Sequence, residues 1–304
     1  MEHRSIGSLR VSLVGLGCNN FGMRIDAAAT ERVVSGALEA GINFFDTADI
    51  YGATKSEEFL GRALKGQRHR AIVATKFGMA VDDQRKGARP DYVTQACDDS
   101  LHRLGIDHID LYQLHQPDPN VPIADTLGAL DDLVTAGKVR EIGCSNFSAE
   151  QLDEAARVTK PGAARFVIVQ NEYSLLHRDP ESSVLPACER MGLAFLPFFP
   201  LASGLLTGKF EPGKPAPAAS RLSLSWTSRF TTDKNVRIAE ALKVFAAARR
   251  HTLLELAFSW LASRHQVASV IAGATSPEQI RANAAAVNWT LSAEELAEID
   301  RLTQ

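Results

Sequence analysis

The chain predicts an α/β protein, a closed (β/α)8 TIM barrel, and three observations carry that expectation. Short apolar runs alternate with longer amphipathic stretches along nearly all of its 304 residues. The runs lack the apolar–polar alternation of a half-exposed sheet, as strands covered on both faces do. About eight strand-then-helix units fit into about 280 residues, the spacing of a closed barrel. The rival, a doubly wound open sheet, wants a GxGxxG turn after its first strand. The glycines there are Gly15, Gly17 and Gly22, and the last interval is wrong.

The elements follow in order. The first strand is read at 11–16 (VSLVGL) and the first helix at 29–40 (ATERVVSGALEA), closed by Gly41 as a C-terminal cap. Strand 43–46 (NFFD) precedes helix 56–65, and strand 71–75 (AIVAT) precedes helix 91–104, opened by Asp91 and ended by Gly105. Strand 109–114 (IDLYQL) leads to helix 123–137 with Gly137 at its end, and strand 139–143 to helix 149–160. Ser148, just before that helix, can accept an orphan backbone N–H as an N-cap. Strands 166–170 (FVIVQ) and 193–197 flank helix 181–191, which Gly192 closes. Strand 268–271 (ASVI) and helix 277–287, capped by Ser276, complete the alternation. It breaks once, at a Pro-, Gly-, Ser- and Ala-rich stretch of about 200–233, followed by extra helices at 234–250 and 252–264. A loop that long inside a compact fold is expected to be a functional cover. Because strand and helix resume behind it, it is no linker, and 1–304 reads as one domain.

Composition narrows the function classes. Hydrophobic residues make up 45% and charged residues 23%, ordinary for a globular domain, which excludes fibrous and disordered chains. Lys and Arg number 33 against 36 Asp and Glu, so the basic footprint of a nucleic-acid binder is missing. No apolar run approaches the roughly 18 residues of a membrane span. The start, MEHRSIGSLRVSLVGLG, mixes both charge signs and lacks a signal-peptide core. Four cysteines without CxxC spacing suit reduced thiols. A cytoplasmic location is the expectation. The eight histidines form neither HxH nor HExxH, so no metal site is expected.

Chemistry in a barrel collects at the C-terminal ends of strands. Those ends carry Asp46, Lys76, His115, Ser145 with Asn146, and Gln170, and Tyr51 lies five residues beyond Asp46. Each has a bland reading: a solvated Lys, a His satisfying a carbonyl, an Asp shaping a turn. Together they form a kit. A phenol is a poor proton donor or acceptor near neutrality unless its anion is stabilised. A buried ammonium beside it does that, a carboxylate beyond keeps the ammonium charged and oriented, and a His can direct a substrate carbonyl.

At these residues the sequence resembles the aldo-keto reductase family. The stretches NFFDTADIYGATKSEEFLGRAL, IVATKFG, IDLYQLHQPD, VREIGCSNFS, IVQNEYSLLHRDPE, LAFLPFFPLASGLLTGKF and SVIAGATSPEQIRANAAAV occur in the family's order and span essentially the whole chain. The resemblance implies a (β/α)8 barrel that reduces aldehydes or ketones with NADPH, reversibly. Asp46, Tyr51, Lys76 and His115 match the family's catalytic tetrad, with Tyr51 as general acid, Lys76 paired with Asp46 lowering its pKa, and His115 orienting the carbonyl. Ser145, Asn146 and Gln170 match residues that bind the nicotinamide carboxamide. Phe198 stands where many members place a Tyr or Trp that stacks on the nicotinamide, and keeps the π-face. Leu201, Ser203, Gly204 and Lys209 lie in the loop that folds over the pyrophosphate, Lys209 as a candidate phosphate partner. The segment from Gly204 to Phe210 is one residue short of a P-loop and lacks the Ser or Thr after Lys.

The adenosine end departs from the best-known pattern. Gly273 and Gln279 stand in place of a Lys and an Arg that grip the 2′-phosphate, while Asn283 remains. GATSPEQ resembles the branch that includes the potassium-channel β subunits and still uses NADPH. There Thr275 and Gln279 would hydrogen-bond the phosphate, with charge from Arg281 or an Arg of the long loop. NADP(H) is the expected cofactor, and the missing pair leaves NAD(H) open. The alternative function is a slow-turnover, NADP(H)-binding redox-sensing subunit, and a third class is an unrelated barrel isomerase or hydrolase. Asn20 and Phe21 are expected at the pocket, Trp226 and Phe230 either there or anchoring the loop, and Cys18 and Cys144 as structural thiols. The partner is a small carbonyl compound, with neither nucleic acid nor membrane, and the sequence does not set the oligomeric state.

Overall fold

The structure is a computed structural model that describes residues 1–211, 213–214 and 220–304, and of Trp226 the backbone only. Eight parallel strands build the barrel: β3 Val14–Gly17, β4 Phe44–Asp46, β5 Ile72–Phe77, β6 Ile109–Leu114, β7 Val139–Ser145, β8 Phe166–Glu172, β9 Ala194–Phe198 and β10 Val270–Gly273. They pair in the order β10-β3-β4-β5-β6-β7-β8-β9. The two ends meet where the Phe195 amide donates to Gln266 O (2.7 Å) and the Ala268 amide to Phe195 O (3.0 Å). Around the strands lie α1 Ala27–Glu39, α2 Lys55–Ala63, α3 Pro90–Leu104, α4 Ile123–Thr135, α5 Ala149–Val158 and α6 Val184–Met191. The helices α7 Asp233–Ala247 and α8 Leu253–Ala262 stand between β9 and β10, and α9 Pro277–Ala285 and α10 Ala293–Leu302 follow β10. Ser148 and Ser276 cap their helices as expected, whereas Asp91 sits one residue inside α3, after Pro90, and Arg89 holds the cap position.

The strand expected over 11–16 is two strands. Residues up to Ser12 belong to an antiparallel hairpin of β1 His3–Ile6 and β2 Leu9–Ser12, and Val14 starts the barrel. The run shows no hydropathic break because both pieces are buried. Ile6, Leu9 and Val11 of the hairpin pack against Phe44, Ala74, Leu111, Ile168, Leu196 and Ile271, so the hairpin closes the floor of the barrel. Side chains two apart on a strand share a face. One step up from this apolar floor, the same face of β4, β5, β6, β8 and β9 therefore presents Asp46, Lys76, Gln113, Gln170 and Phe198. A larger apolar cluster fills the space between strands and helices.

Candidate active site

The polar layer above the floor is a hydrogen-bond network centred on Asp46. Lys76 is fully buried, and its Nζ donates to Asp46 Oδ2 at 2.6 Å and to Thr47 O at 2.9 Å. The Tyr51 ring lies beside the same ammonium, its centroid 5.3 Å from Lys76 Nζ. The other Asp46 oxygen accepts from Gln113 Nε2 (3.1 Å) and Gln170 Nε2 (3.2 Å), and the two glutamines are joined at 3.2 Å. Such bonding is what makes a buried ion pair tolerable, and removing one partner typically costs about 3–5 kcal/mol. Burial alone would pull the Lys76 ammonium down, but the Asp46 carboxylate and the Tyr51 hydroxyl hold it above its ordinary value.

Tyr51 reaches this ammonium because the loop after β4 is tied at both ends. Thr47 N donates to Ala74 O (2.8 Å), Asp49 N to Lys76 O (3.1 Å), and the Thr47 and Ser56 hydroxyls bond at 2.8 Å. Gly52 turns the chain with φ +60°, and a Cβ there would lie 2.4 Å from Phe21 O. Burial pushes the Tyr51 phenol above its ordinary 10.0; Lys76 acts downward, as expected, but burial outweighs it. The phenol holds its proton at neutral pH. His115 stands edge-on to Tyr51 with ring centroids 5.8 Å apart. Burial and then Lys76 push its imidazole down to about 3, so it is neutral, and its Nδ1 is buried without a partner.

One cavity of about 810 Å³ collects most of the residues that the sequence singled out for chemistry. Asp46, Tyr51, His115, Ser145, Asn146, Gln170 and Phe198 line it at the strand ends. Leu201, Ser203, Gly204 and Lys209 line it from the loop, and Gly273, Thr275, Gln279 and Asn283 from the far side. Lys76 lies behind Tyr51 and does not line it. Among the described residues seven non-glycines have positive φ, and six of these, Ala53, Thr54, Asn146, Phe199, Ala202 and Ser203, belong to loops at this mouth. Strain gathers where the backbone is held for function. The Asn146 amide donates to His115 O at 2.9 Å, and Thr275 N donates to the Gln279 side chain at 2.8 Å. Ser203 keeps a buried hydroxyl with no partner in the wall, which suits an added acceptor or donor from a bound group.

Several placements differ from expectation. Phe21 is fully buried in the core, while Asn20 does line the cavity. Phe230 anchors the loop, with its ring 5.3 Å from that of Phe199. The Trp226 side chain lies outside the described residues, as do 212 and 215–219 of the loop 200–233. Arg281 is exposed, bound to Glu278 at 2.8 Å, and does not line the cavity. Arg24, Lys209 and Arg221 do line it, and Arg221 Nη2 bridges Asn19 Oδ1 (2.7 Å) and Asn20 Oδ1 (2.8 Å). Burial, and then Arg24, lower its pKa to about 10. Arg24 and Gln113 escaped the sequence reading, since nothing in a loop or an apolar strand marks them. All four cysteines are free and buried.

The sequence profile of the Aldo/keto reductase family matches residues 13–304. The chain is 35% identical over 300 residues to a probable aldo-keto reductase of Glycine max, covering 95% of this chain and 84% of that one. It is 33% identical over 303 residues to a probable voltage-gated potassium channel β subunit of Oryza sativa subsp. japonica, covering 95% and 92%. Among solved structures, a glycerol dehydrogenase from Gluconobacter oxydans superposes with a TM-score of 0.86 at 29% identity, covering 99% and 94%. The holo form of an aldo-keto reductase from Bacillus halodurans gives 0.83 at 32%, covering 100% and 97%. With its barrel, its polar strand-end layer and this match together, the chain belongs to the aldo/keto reductase family of oxidoreductases.

Proposed function

We propose that the chain reduces small aldehydes or ketones to alcohols with NADP(H), and that Tyr51 is the proton donor. The observation that carries this is Tyr51 at the cavity wall, its ring 5.3 Å from a buried ammonium that Asp46 holds. When bound, the nicotinamide supplies a hydride to the carbonyl carbon. The protein's part is placement and charge. His115, neutral, donates a hydrogen bond to the carbonyl oxygen and fixes its direction. Tyr51 passes its proton to that oxygen as negative charge develops, and Lys76 stabilises the phenolate left behind. In the reverse direction the phenolate is the base.

The residues present fit a dinucleotide. Ser145, Asn146 and Gln170 would hold the carboxamide, and the Phe198 face would meet the ring. Leu201, Ser203, Gly204 and Lys209 would line the pyrophosphate path, with the unpartnered Ser203 hydroxyl as a ready donor. Gly273 leaves room for the chain's close approach, and Thr275, Gln279 and Asn283 would receive the adenosine end. Arg221 takes the place that Arg281 does not fill as the source of charge. The segment 200–233 would then cover the cofactor as part of one 1–304 domain. Purified protein should consume NADPH when offered a panel of aldehydes, with a small polyol as the first oxidative substrate, given the glycerol dehydrogenase likeness. Tyr51→Phe should cut turnover by about 10²–10⁴-fold; turnover near the wild-type rate in that variant refutes the assignment.

The likeness to a channel β subunit favours a second reading, a redox-sensing subunit that holds its cofactor and turns over slowly. Cofactor release much slower than the signalling of any partner, together with weak turnover on every carbonyl, would select it.

A further inference from the structure

Asp49 shares the loop of Asp46 and Tyr51 but does not line the cavity. It is 2% exposed, and both carboxyl oxygens are buried without a hydrogen-bond partner among the described residues. The charged groups facing it are Glu57 of α2, Arg103 of α3 and Lys76 of β5. The phenols of Tyr92 on α3 and Tyr112 on β6 feel its charge too. Glu57 has already taken what this pocket offers a carboxylate: Thr75 Oγ1 donates to it at 2.5 Å and Arg103 Nε at 2.6 Å. The same guanidinium also bonds Ser100 Oγ at 3.2 Å. Glu57 thus holds the arginine, Asp49 is left a buried carboxyl bonded to no cation among the described residues, and a like charge nearby makes its ionisation costlier still. The lysine on the other side is bound to Asp46, yet the Asp49 amide sits 3.1 Å from its carbonyl.

We propose that Asp49 is a positioning residue kept as a neutral carboxylic acid during reduction, and that its ionisation slows the reaction by weakening Tyr51 as a proton donor through Lys76. The inference rests on the reading of Tyr51 given above. A charge on Asp49 sets a second carboxylate beside the ammonium, so less of its positive field reaches the phenol, and the phenol becomes a weaker acid. Burial and then Glu57 raise the Asp49 carboxyl from 3.8 to about 7, against the opposing pull of Arg103 and Lys76. Neither His115, pushed down to about 3, nor Tyr51, pushed up from 10.0, titrates near neutrality. The comparison with Asp49→Asn then assigns a step near pH 7, since a step from the cofactor phosphate would survive in the variant.

The test compares the wild type with Asp49→Asn, whose amide has the shape of the neutral acid, in the pH profile of kcat for NADPH-driven carbonyl reduction. The wild type should lose on the order of fivefold between about pH 6 and 8, and the variant should lack that step. A step retained in Asp49→Asn, or none in the wild type, overturns the proposal. Thermal unfolding gives a readout independent of turnover. A carboxyl whose folded pKa is raised loses stability as pH climbs from its unfolded value to its folded one. The Tm advantage of Asp49→Asn should accordingly grow from about pH 4 to about pH 7 and then level. A constant difference means that Asp49 is charged throughout, which also overturns the proposal. A protein without reductase activity refutes the reading of Tyr51 and the kinetic part with it, while the Tm difference still decides the protonation. Should Asp49→Asn not fold, Glu57→Gln carries the same test, because removing the neighbouring carboxylate moves the step to lower pH.

Discussion

Lys76 is the residue on which the others depend, because one buried ammonium bonds a carboxylate and a backbone carbonyl and stands 5.3 Å from the Tyr51 ring. Lys76→Met should leave Asp46 as a buried charge without its cation, costing about 3–5 kcal/mol of stability in urea unfolding. It should also slow reduction, since a phenolate then forms without its stabilising charge. Asp46, Lys76, His115 and Gln170 were legible because each polar side chain ends an apolar run, where a barrel opens to its site. Gln113 was not, because inside IDLYQL it reads as one more strand position; only the neighbouring Asp46 carboxylate gives its burial a reason. Arg221 was legible only as one unspecified arginine of the long loop, since a Ser- and Ala-rich stretch has no periodicity to say which one reaches the cavity. Arg221→Ala should weaken cofactor binding by about 1.5–3 kcal/mol, the range for hydrogen bonds to charged groups. Calorimetry with NADPH and NADH in parallel locates the phosphate: a loss confined to NADPH marks the 2′-phosphate, and equal losses mark the pyrophosphate.

At the scale of elements, the tight approaches decide where Tyr51 stands. Gly52 lets its loop lie against the Phe21–Gly22 turn, and Gly61 lets α2 touch α3, where a Cβ would fall 2.1 Å from Leu104 O. Gly61→Ala must push the two helices apart, at a cost of at least about 1–3 kcal/mol, as overpacking does. Gly52→Ala adds positive-φ strain to a clash with backbone and displaces the residue beside it. Its kcat should fall further than its stability implies, whereas Gly61→Ala should mainly lower the Tm. The helices were visible from their 3.6-residue period and their caps. The hairpin was not, because β2 and β3 share one unbroken apolar run and only tertiary contact separates a floor strand from a barrel strand.

For the whole molecule, the barrel divides its labour along its axis, with an apolar floor sealed by the hairpin and a polar mouth that carries the chemistry. Leu9→Ala should therefore cost about 2–5 kcal/mol of stability while leaving cofactor affinity unchanged in the folded fraction. The formal charge of −3 conceals this arrangement, because Arg24, Lys209 and Arg221 line the mouth and Lys76 is buried beside Asp46. No helix among the described residues is long and apolar enough to cross a membrane. The most direct test of the central claim is hydride transfer by Tyr51→Phe with cofactor bound, measured beside the wild type on the same aldehyde. Cofactor affinity should match the wild type, while reduction falls by about 10²–10⁴-fold, the usual worth of a positioned acid. Reduction within a few-fold of the wild type would show that the proton comes from elsewhere.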